Sequence, residues 1–454
     1  MRHVDVAIIG AGHAGLNALK EVRKVTDNWV LINGGELGTT CARVGCMPSK
    51  AIIELTNRLG PGEDLAARVP DILEKTRDYR DIFVDLVLAN STDDLVEGEQ
   101  LIDGYPRFIG PDTLEVGGET IRAEKIIVAT GSSPIVPPEY AALGDRMLTS
   151  DSLFDLENLP ASVGVIGLGF IGLEMAQALH RLGRQVVGFN IDAHIGGIRD
   201  PKIAAEAETI FKREFPIHTG HRPEIEPGPE GVAIRAGEIE ARVDKVFVAV
   251  GRRPNIPEGL SRFASLDARG LPRFDPDTLR LLGLPVFFAG DVTGSRMMLQ
   301  DAAEEGRQAG LNAIAPVEAL APARTFMSIA FTDPNFCQIG AQLDELDAPI
   351  IVEQRFGPNG RALVMGRNRG MIRIYVDPPS GRLLGAAMVG TRAGHLAHLV
   401  AWAVQMNLTV PQMLELPFYH PVVEEALQDA LKHAAMKLDA LAGAVAQAPM
   451  RAVG

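Results

Sequence analysis

Two cysteines separated by four residues, Cys41-Ala-Arg-Val-Gly-Cys46, run directly into Met-Pro-Ser-Lys50. That spacing lets two sulfurs meet across one helical turn, and Pro48 fits the start or a distortion of a helix. A thiolate near a helix N-terminus or a cation has a lowered pKa, which suits thiol–disulfide exchange. The same pair could instead be two buried free thiols, or half of a zinc site. Zinc needs more ligands, yet the chain has only 3 cysteines, and the third, Cys337, has no Cys/His cluster beside it. No metal is expected, and Cys337, before Gln-Ile-Gly on an apparent strand, reads as a small buried hydrophobe. His420 is the histidine that stands out, because it precedes Pro421 and has a carboxylate, Glu425, five residues on. A base working near neutral pH is helped by a Glu that fixes its tautomer and stabilises the imidazolium. His395 and His398, three apart on an apolar helix, read as packing residues.

Elements must position these groups, and two of them repeat. Val4 to Ile9 is an almost unbroken apolar run, as expected of a strand covered on both faces, and Gly10-Ala-Gly12-His-Ala-Gly15 follows it. The pattern restarts with the strand Val163–Ile166 and Gly167-Leu-Gly169-Phe-Ile-Gly172. In such turns the first Gly makes the bend, the second lets a pyrophosphate approach the backbone, and the third lets helix and strand pack. Two turns, each in a strand–turn–helix setting, imply two dinucleotides. The acid that holds a ribose diol at the end of each second strand is replaced by Asn33 and Asn190. After Asn190 come Asp192 and His194 but no Arg until Arg199, which leans the second site to NAD and leaves NADP open. After Pro316 alternating strands and two apolar helices, near 393–406 and 422–441, make an α+β module, and the last dozen residues read as a loose tail. The fold class is α/β: two Rossmann-like dinucleotide-binding domains plus a C-terminal α+β domain.

Composition sets outer bounds. At 454 residues the chain exceeds one core, and 46% hydrophobic with 22% charged residues is the balance of a globular protein. A net charge of −14 argues against a nucleic-acid partner. No apolar run reaches the ~18 residues of a membrane span. The N-terminus lacks a signal-peptide pattern and the cysteines form no disulfide framework, so a cytoplasmic enzyme is expected.

Cys41 to Lys50, with the two glycine turns, resembles the disulfide oxidoreductase flavoproteins: dihydrolipoamide dehydrogenase, glutathione reductase and mercuric reductase. The likeness runs along nearly the whole chain. Ala129-Thr130-Gly131 matches the second flavin-side turn, and Gly290-Asp291 the segment whose Asp meets the FAD ribityl chain. Phe331-Thr-Asp-Pro334 matches the opening of the dimerisation domain, and His420 to Glu425 its catalytic His–Glu segment. The resemblance implies an FAD-binding domain over 1–147 and 273–322, an NAD(P)-binding domain over 148–272 and an interface domain over 323–454. Gly10, Gly12, Gly15, Asn33, Lys50, Ala129, Thr130, Gly131, Asp291 and Ala302 would then serve FAD. Gly167, Gly169, Phe170, Gly172, Glu174, Asn190 and Gly251 would serve NAD(P), with Phe170 over the nicotinamide pocket. By the same carry-over, Cys41 is the interchange thiol, Cys46 faces the flavin, Lys50 pairs with Glu174, and His420 reaches the disulfide of the partner in a homodimer. Phe418 and Val422 depart from the small polar or His residues usual beside that histidine.

The resemblance implies a lipoyl-bearing carrier protein, or a small dithiol or disulfide, as substrate. Mercuric reductase would bring a terminal cysteine pair, and nothing follows Cys337; glutathione reductase would bring a basic pair after the second strand of its NADP site, also missing. The alternatives are an NAD(P)H-dependent reductase of another disulfide or of a quinone, and a redox-sensing flavoprotein without turnover.

Overall fold

In the computed structural model, which describes residues 1–60, 63–320 and 324–447, the apolar run after Val4 forms most of β1 (Arg2–Ile9). The glycine turn leads into α1 (His13–Val22), and the chain returns as β2 (Trp29–Asn33), parallel to β1 with Ile9 beside Ile32. Next come α2 (Thr40–Arg43), α3 (Cys46–Asn57) and the long α4 (Leu65–Ser91), capped by the Asp64 carboxylate. Short strands β3 (Leu101–Asp103), β4 (Arg107–Phe108) and β5 (Thr113–Val116) precede β6 (Glu119–Val128) and β7 (Ser132–Pro134). Their sheet runs β3-β2-β1-β6-β5-β4, so β1 lies at the centre and is apolar on both sides. This part belongs to the first of two compact units: Met1–Pro137, Thr149–Asn158 and Gly251–Ala323.

The second unit comprises Pro138–Leu148, Leu159–Val250 and Arg324–Gly454. It opens with β8 (Met147–Leu148), β9 (Ser162–Ile166), α5 (Phe170–Arg181), β10 (Gln185–Asn190), α6 (Pro201–Phe211) and β11 (Ile217–Thr219). An antiparallel meander, β12 (Glu224–Gly228), β13 (Gly231–Ala236) and β14 (Ile239–Val243), leads to β15 (Lys245–Val248). The parallel sheet is ordered β11-β10-β9-β15-β8, and Val232, Ile234 and Val243 of the meander share a core with Ile166 and Phe189.

The chain re-enters the first unit through β16 (Arg252–Pro254), antiparallel to β7, and adds β17 (Val286–Phe288) beside β6. Helix α7 (Leu299–Ile314) lies against α1 at very short range. A Cβ on Gly306 would stand 2.1 Å from the Ala14 carbonyl oxygen, and one on Gly310 2.6 Å from that of Ala18.

The remaining elements complete the second unit. They are β18 (Met327–Ala330), β19 (Asn335–Gly340), β20 (Ile350–Arg355), the short α8 (Gly360–Val364), β21 (Gly370–Val376) and β22 (Leu383–Gly390), followed by α9 (Ala393–Gln405), α10 (Val410–Leu414) and α11 (Glu425–Gln447). The sheet is antiparallel, β18-β19-β22-β21-β20, and its Ile372, Ile374 and Met388 pack with Leu396, Val400, Leu427 and Leu431. Cys337 lies in this core, where burial pushes its thiol pKa well up. The buried Asp200 caps α6 and also takes Arg373 and, at 2.6 Å, the Tyr375 hydroxyl, tying α6 to β21. Helix α11 continues to Gln447, into the stretch expected as a tail, and the residues after it lie outside the described residues. Among the described residues no helix is long and apolar enough to cross a membrane.

Candidate active site

The two glycine turns are built alike to the atom. Gly10 and Gly167 sit at φ +104° and +87°, values that favour glycine. A Cβ on Gly10 would meet the Ala129 oxygen at 2.4 Å, and one on Gly167 the Ala249 oxygen at 2.5 Å. A Cβ on Gly15 or Gly172 would fall 1.9 or 1.8 Å from the oxygen of Gly10 or Gly167, so each helix is packed onto its own turn. The middle glycines differ: Gly12 would meet an oxygen only at 3.8 Å, and Gly169 nothing within 4 Å. Open space therefore fronts the turn at the one position where a side chain would fill it. Neither helix has a side-chain cap or an acid in its first turn. Backbone N–H groups facing a cradle without a Cβ fit a pyrophosphate, so both sites fit a dinucleotide.

Asn33 and Asn190, expected at the ribose, are engaged with the protein itself. Ala11 N–H donates to Asn33 Oδ1 at 3.0 Å, and Leu168 N–H to Asn190 Oδ1 at 3.0 Å. Their amide nitrogens donate to Gly35 O at 2.9 Å and His194 O at 2.7 Å. Each amide thus braces its glycine turn, a use the sequence reading did not anticipate. Ala249, counterpart of Ala129, was also missed; the signal was there, since Ala249-Val-Gly251 repeats the spacing of Ala129-Thr130-Gly131.

On the flavin-side turn, Thr130 donates to Asn255 O at 2.5 Å, and Asn255 N–H donates to Gly131 O at 3.0 Å. Asp291 accepts from Ser132 Oγ through Oδ2 at 2.6 Å, and Ser132 Oγ accepts Arg252 Nε–H at 2.8 Å. Ser132 and Arg252 were missed, although each adjoins a segment singled out in the sequence. Gly251, at φ +118°, receives Ile135 N–H on its carbonyl at 2.9 Å where β7 meets β16. Ala302, in the first turns of α7, is buried and gives its N–H to Met298 O at 2.9 Å, so that N–H is engaged within its own helix. Glu305, one turn on, accepts Gly290 N–H at 2.8 Å; burial pushes its carboxyl up to about 7.

Cys41 lies on α2 and Cys46 is the first residue of α3, both half-buried. The two thiols are hydrogen-bonded, and that bond, followed by burial, holds the Cys41 pKa well up while the Lys50 charge pulls the other way. Lys50 lies one turn into α3, in the first unit. Glu174 lies in the second unit, buried on α5, where its Oε1 accepts Phe331 N–H at 2.8 Å. Phe170, at the start of α5, stacks on Phe336 with centroids 5.4 Å apart and planes at 18°.

His420 and Glu425 meet as a pair: His420 Nδ1 lies 2.8 Å from Glu425 Oε1, and Glu425 Oε2 accepts Val422 N–H at 3.0 Å. The His420 bond and then the Val422 N–H hold the Glu425 pKa below its usual value. With Nδ1–H turned to the carboxylate, Nε2 is the free acceptor. The His420 side chain is 80% exposed, so that nitrogen is accessible from outside its own chain. Among the described residues no group of His, Cys, Asp and Glu is arranged to hold a metal ion.

Comparison with known proteins gives the family. A profile described as pyridine nucleotide-disulphide oxidoreductase matches residues 4–306, and the dimerisation domain of the same enzymes matches residues 326–431. The chain is 30% identical to a dihydrolipoyl dehydrogenase of Halobacterium salinarum, over 95% of this chain and 96% of that one. It is 29% identical to a mercuric reductase of Streptomyces lividans, over 95% of each. Among solved structures, the HOCl-induced flavoprotein disulfide reductase RclA from Escherichia coli superposes with a TM-score of 0.83 at 22% identity, covering 94% of this chain and 99% of that one. LpdA from Mycobacterium tuberculosis gives 0.81 at 23%, covering 95% and 99%. These two show a shared fold.

Proposed function

Since the chain belongs to the pyridine nucleotide-disulphide oxidoreductase family, whose members are FAD- and NAD(P)-dependent oxidoreductases, we propose that it is a dihydrolipoyl dehydrogenase: it oxidises a dihydrolipoyl group on a carrier protein, with NAD⁺ as final acceptor. The observation that carries the reading is the Cys41–Cys46 thiol contact at the start of α3. In the oxidised enzyme the two sulfurs are bonded. A substrate thiolate attacks Cys41 Sγ, the Cys41–Cys46 bond breaks, and Cys46 leaves as a thiolate stabilised by the N-terminus of α3 and by Lys50. The second substrate thiol then displaces Cys41, closing the substrate disulfide and leaving the enzyme as a dithiol. Protons lost by the substrate are taken at His420 Nε2, with Glu425 holding the imidazolium. Gly10, Gly12 and Gly15 hold the FAD pyrophosphate, and Gly167, Gly169 and Gly172 that of the nicotinamide dinucleotide. Asp291 offers its carboxylate to the ribityl hydroxyls, oriented by Ser132. A bound flavin supplies the two-electron transfer between dithiol and nicotinamide.

The dimerisation domain makes the working form a homodimer, and we read the exposed His420 as serving the cysteine pair of the other copy. Lipoamide-dependent NADH oxidation tests the proposal. Cys46→Ser should abolish it, and His420→Gln should lower kcat by about two to four decades. Steady turnover of Cys46→Ser with lipoamide would rule the relay out. Parallel assays with glutathione disulfide, quinones and mercuric ion would show whether another acceptor is preferred.

A further inference from the structure

Thr39 stands where side chains rarely go. Its backbone has φ 65° and ψ 147°, a conformation that strains a non-glycine residue, and its β-branch adds crowding. It is also buried. The residue before it, Gly38, has φ +106°, and a Cβ there would lie 2.8 Å from Val84 Cγ1 on α4. The Thr39 hydroxyl accepts Ala42 N–H at 3.3 Å and so caps α2, the short helix whose second residue is Cys41. At the other end of α2, a Cβ on Gly45 would come 2.9 Å from Thr40 O and 3.1 Å from Cys41 Cα. The turn that carries Cys41 is therefore held at both ends, by a strained cap and by a backbone-to-backbone contact.

A single helical turn does not hold itself, because nucleation costs more than one hydrogen bond returns. Strain of this kind persists only where the surroundings over-determine it. We infer that Thr39 is a positioning residue for the redox pair: its fixed backbone and its hydroxyl cap keep the Cys41 thiol beside Cys46 while the two are unbonded. The inference rests on the reading of Cys41 and Cys46 as a redox couple. Oxidation removes two electrons and two protons from the pair; with glutathione disulfide as oxidant, one protein S–S bond forms, the glutathione S–S bond breaks, and two molecules of glutathione leave. A Cys41 already in place loses less freedom when the bond closes, so the effective concentration of one thiol at the other is high. Glycine at position 39 relieves the strain, removes the cap and frees the turn in the dithiol state alone. Closing the disulfide then becomes harder.

The test equilibrates the flavin-loaded enzyme in glutathione buffers of graded [GSH]²/[GSSG], quenches with acid and counts free thiols by alkylation and mass. Thr39→Gly should shift the midpoint about tenfold toward the dithiol, a potential about 30 mV more positive. Its melting temperature should stay at or above that of the parent, which separates a positioning role from general loss of structure. Thr39→Ser, which keeps the hydroxyl, should stay within about threefold of the parent, and Thr39→Ala should move in the direction of glycine. The inference is overturned if the glycine variant titrates with the parent, or if serine is displaced as far as glycine; should glycine fail to fold, an alanine variant that titrates with the parent overturns it equally. A parent enzyme that never forms the Cys41–Cys46 disulfide in the most oxidising buffer would instead bring down the redox-couple reading itself.

Discussion

Asn190 shows how one side chain settles what its neighbourhood offers a ligand. Its carbonyl oxygen accepts Leu168 N–H and its nitrogen donates to His194 O, so one end of the amide braces the glycine turn and the other ties down the loop after β10. Where a carboxylate would take a ribose diol and repel a 2′-phosphate, β10 ends in a neutral group. Asn190→Glu places a charge there and gives up the donor to His194 O; a carboxylate oxygen can take over the acceptor role toward Leu168 N–H, and a 2′-phosphate now meets a like charge. The ratio of kcat/KM for NADH over NADPH should rise by about tenfold or more, the size of a penalty of ~1.4 kcal/mol or above. An unchanged ratio would mean that the second nucleotide is not read at the end of β10. The brace itself could not be read from residue types. Asn was visible in the sequence, but whether its amide faces the ligand or its own loop depends on the backbone path from Asn190 to His194. Thr39 is a similar case, since nothing in Gly-Thr-Thr-Cys announces a positive φ on a β-branched residue.

Between elements, the contact of α7 with the Gly290 turn carries a titrating group. Glu305 accepts Gly290 N–H, and its carboxyl, normally near 4.5, is lifted to about 7 by burial, with Asp301 and Asp291 adding to the lift and the Gly290 N–H and then Arg296 opposing it. An acid whose folded pKa is raised holds an extra proton in the native state between its unfolded and folded values. Stability contributed by that proton is full below about pH 4.5 and falls away as pH rises through about 7, a loss of at most ~3 kcal/mol, reduced by the solvent that reaches the carboxyl. Glu305→Gln keeps an acceptor for Gly290 N–H and removes the titration. Calorimetry between pH 5 and 8 should show a flatter dependence of the melting temperature in that variant, with a higher value at pH 8. A slope equal to the parent's would place the titrating group elsewhere. Elements themselves were legible where local backbone demands were strong: β1, β9 and their glycine turns follow from apolar runs and from glycines that nothing else could replace. Helix α10 was missed because its five residues carry too little periodicity to register. The extension of α11 to Gln447 was missed because alanine and glycine near a terminus read equally well as a tail.

At the scale of the whole molecule, the chemistry proposed here is divided between copies of the chain. The cysteine pair lies in one compact unit and the His420–Glu425 pair in the other, and the imidazole is largely exposed on its own chain. The fold class was legible because two strand–turn–helix repeats and a change of texture after Pro316 survive in a single sequence. A shared site is another matter, since no sequence pattern marks which surface a second copy will cover. Complementation decides it. A dimer of one Cys46→Ser chain and one His420→Gln chain has one intact combination if the histidine serves the other copy, because the unmutated cysteines then face the unmutated histidine. If the histidine served its own chain, both sites of that dimer would be broken. Random reassociation of equal amounts makes half of the dimers mixed, each with one working site of two, so activity should return to about a quarter of the parent's, with two-fold symmetry setting the arithmetic. Separately, each variant should stay near its own low rate. The mixture should recover activity on the timescale of subunit exchange, followed by tagging one variant and isolating the mixed dimer. An isolated mixed dimer no more active than the better of its two parents would show that histidine and cysteines act within one chain, and the dimer would then need a role other than completing the site.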